Sequence, residues 1–137
     1  MTNKRKKKIS FLIAGVQKAG TTALDSYLRE HTDLIFPKVK ELHFFDNEKN
    51  FANGSPDYEK YHSSFEIETG NKLMGETTPA YIFWKNAAKR IFDYNANMKF
   101  IVLLRNPIHR AFSHWNMQRS RGLERNSFLQ SILSDLK

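Results

Sequence analysis

Apolar residues along this chain follow two rhythms. Residues 9–14 (ISFLIA) and 99–104 (KFIVLL) are short, nearly unbroken apolar runs, the form taken by strands buried on both faces of a parallel sheet. Elsewhere the spacing is helical. Leu24, Tyr27, Leu28 and His31 recur at i, i+3, i+4 and i+7, which predicts a helix over 21–31 with that stripe facing the core. Ile108, Ala111, Phe112 and Trp115 predict a second helix, opened by the cap Asn106 and by Pro107 in its first turn. Weaker patterns predict a strand over 33–36 stopped by Pro37, a short helix over 56–62, a strand over 72–76, a helix over 86–94, and a last helix running from a cap at Asn126 to the C-terminus. Strands alternating with helices predict an α/β fold with a central parallel sheet flanked by helices.

Composition fits one globular domain. The chain has 137 residues, of which 40% are apolar and 13% aromatic, enough to build a core. The formal net charge is +8; taking away the five charges of Lys4, Arg5, Lys6, Lys7 and Lys8 leaves +3 for the rest. Residues 1–8 therefore read as a solvated, disordered basic arm ahead of a domain over 9–137, and no nucleic-acid partner is expected. With no cysteine, disulfides and thiolate chemistry are excluded, a composition compatible with a cytoplasmic location. His109 and His114 are five apart and fall on different faces of a helix, so a paired metal site is not expected. The apolar run after the basic arm leads straight into a glycine loop, which reads as a first strand and not as a signal peptide, and no segment is long enough to span a membrane.

That loop, in the stretch IAGVQKAGTTAL from Ile13 to Leu24, resembles a phosphate-binding loop with its lysine displaced. In the nucleoside-triphosphate form the lysine follows the second glycine; here Thr21 follows Gly20, and Lys18 lies inside the loop. Gly15, Gln17, Lys18, Ala19 and Gly20, followed by the hydroxyls of Thr21 and Thr22, form a strand-to-helix turn whose amides would face an anion. A magnesium-dependent site also needs an acid at the end of a buried strand, yet the strongest strand here ends in Arg105. Arg105 stands where ligands of open α/β sheets collect, and Ser113 follows two helical turns later; together they suit a second phosphate. Taken separately, Arg105 could serve as a structural ion-pair partner, and Ser113 by itself reads better as a plain helix-surface serine.

These residues resemble the sulfotransferases that use 3′-phosphoadenosine 5′-phosphosulfate (PAPS), especially the heparan sulfate branch. Gly15–Thr22 is similar to the family loop that grips the 5′-phosphosulfate, and Arg105 to Ser113 (RNPIHRAFS) is similar to the element that grips the 3′-phosphate. The segment KELHFFD, Lys40 to Asp46, resembles the one carrying the family's catalytic glutamate. The resemblance implies a P-loop-like three-layer α/β fold, PAPS as donor, no metal, and a small-molecule or glycan acceptor. It makes Glu41 the general base, His43 an assisting polar residue, and Lys18 the cation facing the leaving phosphate. Without it, Glu41 beside lysines reads as a loop ion pair and His43 as a half-buried loop residue.

The likeness covers residues 9 to about 125 and implies the N-terminal part of a longer domain or an unusually short member. It also meets a departure: Thr77, in GETTPAY, stands where the heparan sulfate enzymes carry a lysine. Two rival readings remain. One is a P-loop kinase or hydrolase, opposed by the displaced lysine and the missing strand-end acid; the other is a non-catalytic module that binds phosphate or nucleic acid.

Overall fold

The computed structural model describes residues 8–66 and 70–135, so most of the basic arm lies outside the described residues. Lys8, its last member, is tied down: its ammonium donates to the Tyr94 carbonyl at 2.6 Å and lies over the Tyr94 ring.

Four strands form one parallel sheet. They are β1 (Phe11–Gly15), β2 (Leu34–Ile35), β3 (Leu73–Thr77) and β4 (Lys99–Val102), in the order β2-β3-β1-β4. The helices are α1 (Thr21–Arg29), α2 (Tyr58–His62), α3 (Ala87–Tyr94), α4 (Pro107–Ser120) and α5 (Phe128–Asp135), with a 3-10 turn at Glu48–Phe51. This is the expected P-loop-like α/β fold.

β1 is buried along its whole length, as a central parallel strand should be. Leu12 and Ala14 enter the main core with Ile9, Met74, Phe44, Phe45, Tyr61, Ala87, Ile91 and Tyr94. Phe11 points to the opposite face, where its ring meets Phe36 edge-on at 5.5 Å. Opposite Phe11 in the register stands Gly75, and a β-carbon there would lie 2.0 Å from Phe11 Cζ. The aromatic ring therefore requires a glycine across the ladder. α3 buries Ala87, Ile91 and Tyr94 at i, i+4 and i+7, the face its sequence predicts.

Several expectations need correction. Of the run KFIVLL only Lys99–Val102 forms a strand, and one at the sheet edge: Phe100 is 53% exposed and Val102 41%. Its apolar composition is that of an interior strand, yet no described element covers its outer side. α1 stops at Arg29, and its buried side is Thr21 and Asp25, while Tyr27 is 73% exposed. Of the predicted stripe, Leu24 and Leu28 are half-buried and Tyr27 and His31 exposed; Asp25 pairs with Arg29 at 2.6 Å and Arg29 donates to the Pro37 carbonyl at 2.7 Å, which ties the polar side of the helix to the chain after β2. The stripe of α4 packs on α5, through Phe112, Trp115 and Phe128 with ring centroids 5.3 to 5.8 Å apart, while Ile108 is exposed. α5 opens at Ser127 and not Asn126: Ser127 and Gln130 exchange hydrogen bonds as a capping box, while the Asn126 carbonyl accepts from the Trp115 indole.

Candidate active site

The chain leaves β1 toward β2, then returns through β3 on one flank of β1 and β4 on the other. The carboxyl ends of β1, β3 and β4 therefore meet in one crevice, where open α/β sheets bind ligands. A cleft of about 470 Å³ occupies it, lined by Gln17, Lys18, Gly20, Thr21, Thr22, Glu41, Pro79, Arg105, Ser113, Met117 and Arg121. Residues up to 104 positions apart in the chain, Gln17 and Arg121, face the same space.

The wall formed by the loop is built for an anion. Gly20, with φ of 100°, sits at the N-cap of α1 and offers no capping side chain, so the first-turn amides of the helix are left to an outside acceptor. Lys18 also adopts a left-handed backbone, φ 69°, and its ammonium reaches only the Met117 sulfur at 3.8 Å. Among the described residues it has no carboxylate partner. Arg105 donates to the Lys18 carbonyl at 3.0 Å, which links the end of β4 to the loop. His114, behind this wall, is held below the usual histidine range by burial and then by the positive charges of Arg110, Lys18 and Arg121. The cleft is thus electropositive.

Two expected loop residues have a different position. Gly15 does not line the cleft; a β-carbon there would meet Ile82 Cγ2 at 2.5 Å, so the glycine admits a neighbouring side chain. The Ala19 amide is taken up within the loop, donating to the Val16 carbonyl at 3.2 Å.

On the opposite wall, Glu41 is held by its own amide, which donates to the Thr77 carbonyl at the end of β3 at 3.0 Å. Its carboxylate accepts from Lys40 at 2.6 Å, so the loop ion pair is present as well. His43 lies outside the cleft lining but turns Nε2 to within 3.6 Å of Glu41 Oε2. Its other nitrogen, Nδ1, is 2.6 Å from the nearly buried Asp46 carboxylate, which orients the ring. Thr77 is fully buried with no hydrogen-bond partner for Oγ1, so its side chain adds nothing to the cleft wall.

Asp46 and Arg121 are site residues that sequence reading missed. The signals were present: Asp46 follows His43 by three, and Ser113, Met117 and Arg121 fall at i, i+4 and i+8 on one face of α4 and its C-cap.

Known proteins match this arrangement. A family model described as a sulfotransferase domain matches residues 8–134. The chain is 37% identical over 107 residues to the membrane-associated sulfotransferase kil1 of Dictyostelium discoideum, covering 78% of this chain and 22% of that protein. It is 33% identical over 116 residues to heparan sulfate glucosamine 3-O-sulfotransferase 5 of Mus musculus, covering 85% of this chain and 32% of that one. The crystal structure of a sulfotransferase from Alicyclobacillus acidocaldarius superposes with a TM-score of 0.77 at 32% identity, covering 90% of this chain and 55% of that one. The chain thus spans a third or less of the length of these two curated relatives. With the glycine loop, Arg105 and Glu41 of KELHFFD gathered at one cleft, and a family match over 8–134, the chain belongs to the sulfotransferase domain family.

Proposed function

We propose that this domain transfers a sulfuryl group from PAPS to a hydroxyl or amine of a carbohydrate by in-line displacement. The observation that carries the reading is the convergence of the uncapped loop, Lys18, Arg105, Ser113 and Glu41 on one electropositive cleft. These groups fit a doubly phosphorylated donor: the loop amides and Lys18 suit the 5′ end, Arg105 and Ser113 the 3′-phosphate, and Arg121 adds a further cation to the same wall.

In the proposed reaction the acceptor oxygen or nitrogen attacks sulfur as Glu41 takes its proton, and the sulfur–oxygen bond to the donor phosphate breaks. Lys18 and the loop amides neutralise the charge that develops on that phosphate. His43, oriented by Asp46, supports Glu41 from outside the cleft. The carbohydrate acceptor is supported by the heparan sulfate glucosamine 3-O-sulfotransferases among the relatives. The cysteine-free sequence supports the cytoplasm as the proposed compartment, to be checked by cell fractionation.

The kinase reading has less support. The side-chain oxygens of Glu76, the acid near the end of β3, are already taken up by Tyr61, Thr78 and Tyr81. The test is thermal stabilisation by 3′,5′-diphosphoadenosine compared with ATP plus magnesium, followed by transfer of labelled sulfate to a glucosamine-containing glycan. Stronger stabilisation by ATP plus magnesium overturns the proposal.

A further inference from the structure

Glu41 and His43 share an unusual backbone. Both adopt left-handed conformations, with φ of 60° and 50°, although neither is a glycine. Such residues persist only where their surroundings enforce them. The segment that follows has no strand partner, so the force has to come from side chains.

At Phe44 and Phe45 it does. The Phe44 amide donates to the Tyr81 hydroxyl at 3.0 Å, and the Phe45 amide approaches the same oxygen at 3.5 Å. The Phe44 carbonyl accepts from Asn50 Nδ2 at 3.0 Å and the Phe45 carbonyl from Arg90 Nη1 at 2.9 Å. All four backbone polar groups are thus satisfied by side chains. The rings are fixed too: Phe44 stacks on Tyr61 at 4.3 Å and Phe45 meets Tyr81 edge-on at 5.5 Å.

Tyr81 can serve the two amides as an acceptor because its own proton has another destination. The hydroxyl donates to Glu76 Oε1 at 2.7 Å. Glu76 is fully buried; Oε1 also accepts from Thr78 at 2.6 Å, and Oε2 is bonded to the Tyr61 hydroxyl. Burial and the neighbouring carboxylate push the Tyr61 and Tyr81 phenols well above their ordinary range, so both keep their protons. Burial pushes the Glu76 carboxyl above its ordinary range, and a fully buried acid is costly to keep without a purpose in the fold. Here it sets the direction of a relay from Glu76 through Tyr81 to the backbone beside His43.

Resting on the sulfotransferase reading, we infer that Glu76 and Tyr81 are positioning residues of the reaction, holding the loop of residues 41–46 in the conformation that presents Glu41 to the cleft. Glu76 does not line the cleft; it meets the loop through the hydroxyl of Tyr81, which holds the two amides, and through that of Tyr61, whose ring stacks on Phe44.

The experiment compares wild type, Tyr81→Phe and the core variant Ile91→Ala, which truncates a side chain of α3 that makes none of the four hydrogen bonds to Phe44 and Phe45. Three quantities are read: amide hydrogen exchange at Phe44 and Phe45, affinity for 3′,5′-diphosphoadenosine, and single-turnover sulfuryl transfer. Wild type should protect both amides strongly despite their position in a loop. Tyr81→Phe should lose that protection and slow transfer by about tenfold or more while diphosphoadenosine affinity stays within about threefold, the split that marks a positioning role. Ile91→Ala should lower the melting temperature and leave both the protection and the rate of the folded protein near wild type. Wild-type amides that exchange as fast as exposed loop amides overturn the inference even if Tyr81→Phe does not fold. Equal slowing by Ile91→Ala and Tyr81→Phe also overturns it, because it would reduce Tyr81 to general stability. A wild-type protein that transfers no sulfate counts against the proposed function, and the exchange measurement then decides the loop clamp by itself.

Discussion

Arg105 Nη1 donates a hydrogen bond to the backbone carbonyl of Lys18, 3.0 Å away. Arg105, three residues beyond β4, thereby holds the glycine loop at the backbone of its own lysine. Arg105→Ala removes both this brace and a cation of the cleft. It should weaken 3′,5′-diphosphoadenosine binding by about tenfold or more, the scale of a lost hydrogen bond to a charged group. AMP affinity should fall less, since AMP lacks the second phosphate. Isothermal titration of both ligands against both proteins measures the difference.

Lys18 has no acid partner among the described residues, so its charge is available to a ligand. Lys18→Ala should slow single-turnover transfer by roughly 10²- to 10³-fold, typical of losing one preorganised stabilising donor. The melting temperature should hold, because little of the core depends on this side chain. A variant that keeps more than a third of the wild-type rate at saturating donor would show that Lys18 does not act on the leaving group.

Glu41 should separate chemistry from binding. Glu41→Gln keeps the shape and the backbone bond to Thr77 but cannot take a proton, so turnover should fall by about 10²-fold or more while donor affinity changes only a few-fold. Parallel loss of donor binding would make Glu41 a structural residue of its loop, as the Lys40 ion pair alone suggests.

His114 links the cleft to pH. Its ring is depressed by burial and by Arg110, Lys18 and Arg121, so the folded protein binds fewer protons there than the unfolded chain does. The stability contributed by the neutral ring is therefore present above about pH 6.5 and is lost as the pH falls through the lower folded pKa. An anion in the cleft offsets Lys18 and Arg121 and lets the ring regain its proton. Binding of 3′,5′-diphosphoadenosine below neutral pH should then take up protons, seen as a binding enthalpy that varies with the buffer's ionisation enthalpy. His114→Gln should flatten that variation.

Gly75 has a mechanical role. Any β-carbon there collides with the Phe11 ring in a fully buried ladder, so Gly75→Ala should destabilise the fold by about 1–3 kcal/mol or more, the cost of overpacking. Phe11→Leu in the same chain should recover part of the loss. Urea denaturation of the two variants and their combination provides the measurement.

Much of the site could be read in one dimension because its chemistry is local. A glycine at the N-cap, a lysine inside the turn, and Asn106 bonding the amides of Ile108 and His109 ahead of Pro107 act within a few residues of one another. The alternation of strands and helices followed from the same local periods.

What residues near in sequence cannot specify is which strands become neighbours and how a buried polar group is paired. The run KFIVLL has the composition of a central strand, and only the order β2-β3-β1-β4 places it at the edge. The α1 stripe is regular, yet Tyr27 in it is exposed while Asp25, paired with Arg29, is buried. The pairing of Glu76 with Tyr61, fifteen positions away, and the hold of Tyr81 on Phe44, thirty-seven away, leave no periodic trace. The sequence by itself determined the glycine turn between β1 and α1, the Asn106 cap of α4 and the α/β class, because dihedral preference and amphipathic spacing are properties of neighbouring residues. The tertiary structure alone decided that Glu41, Lys18 and Arg105 share a cleft and that a buried carboxylate braces one wall of it, because burial and hydrogen bonding between distant segments exist only once the sheet has assembled.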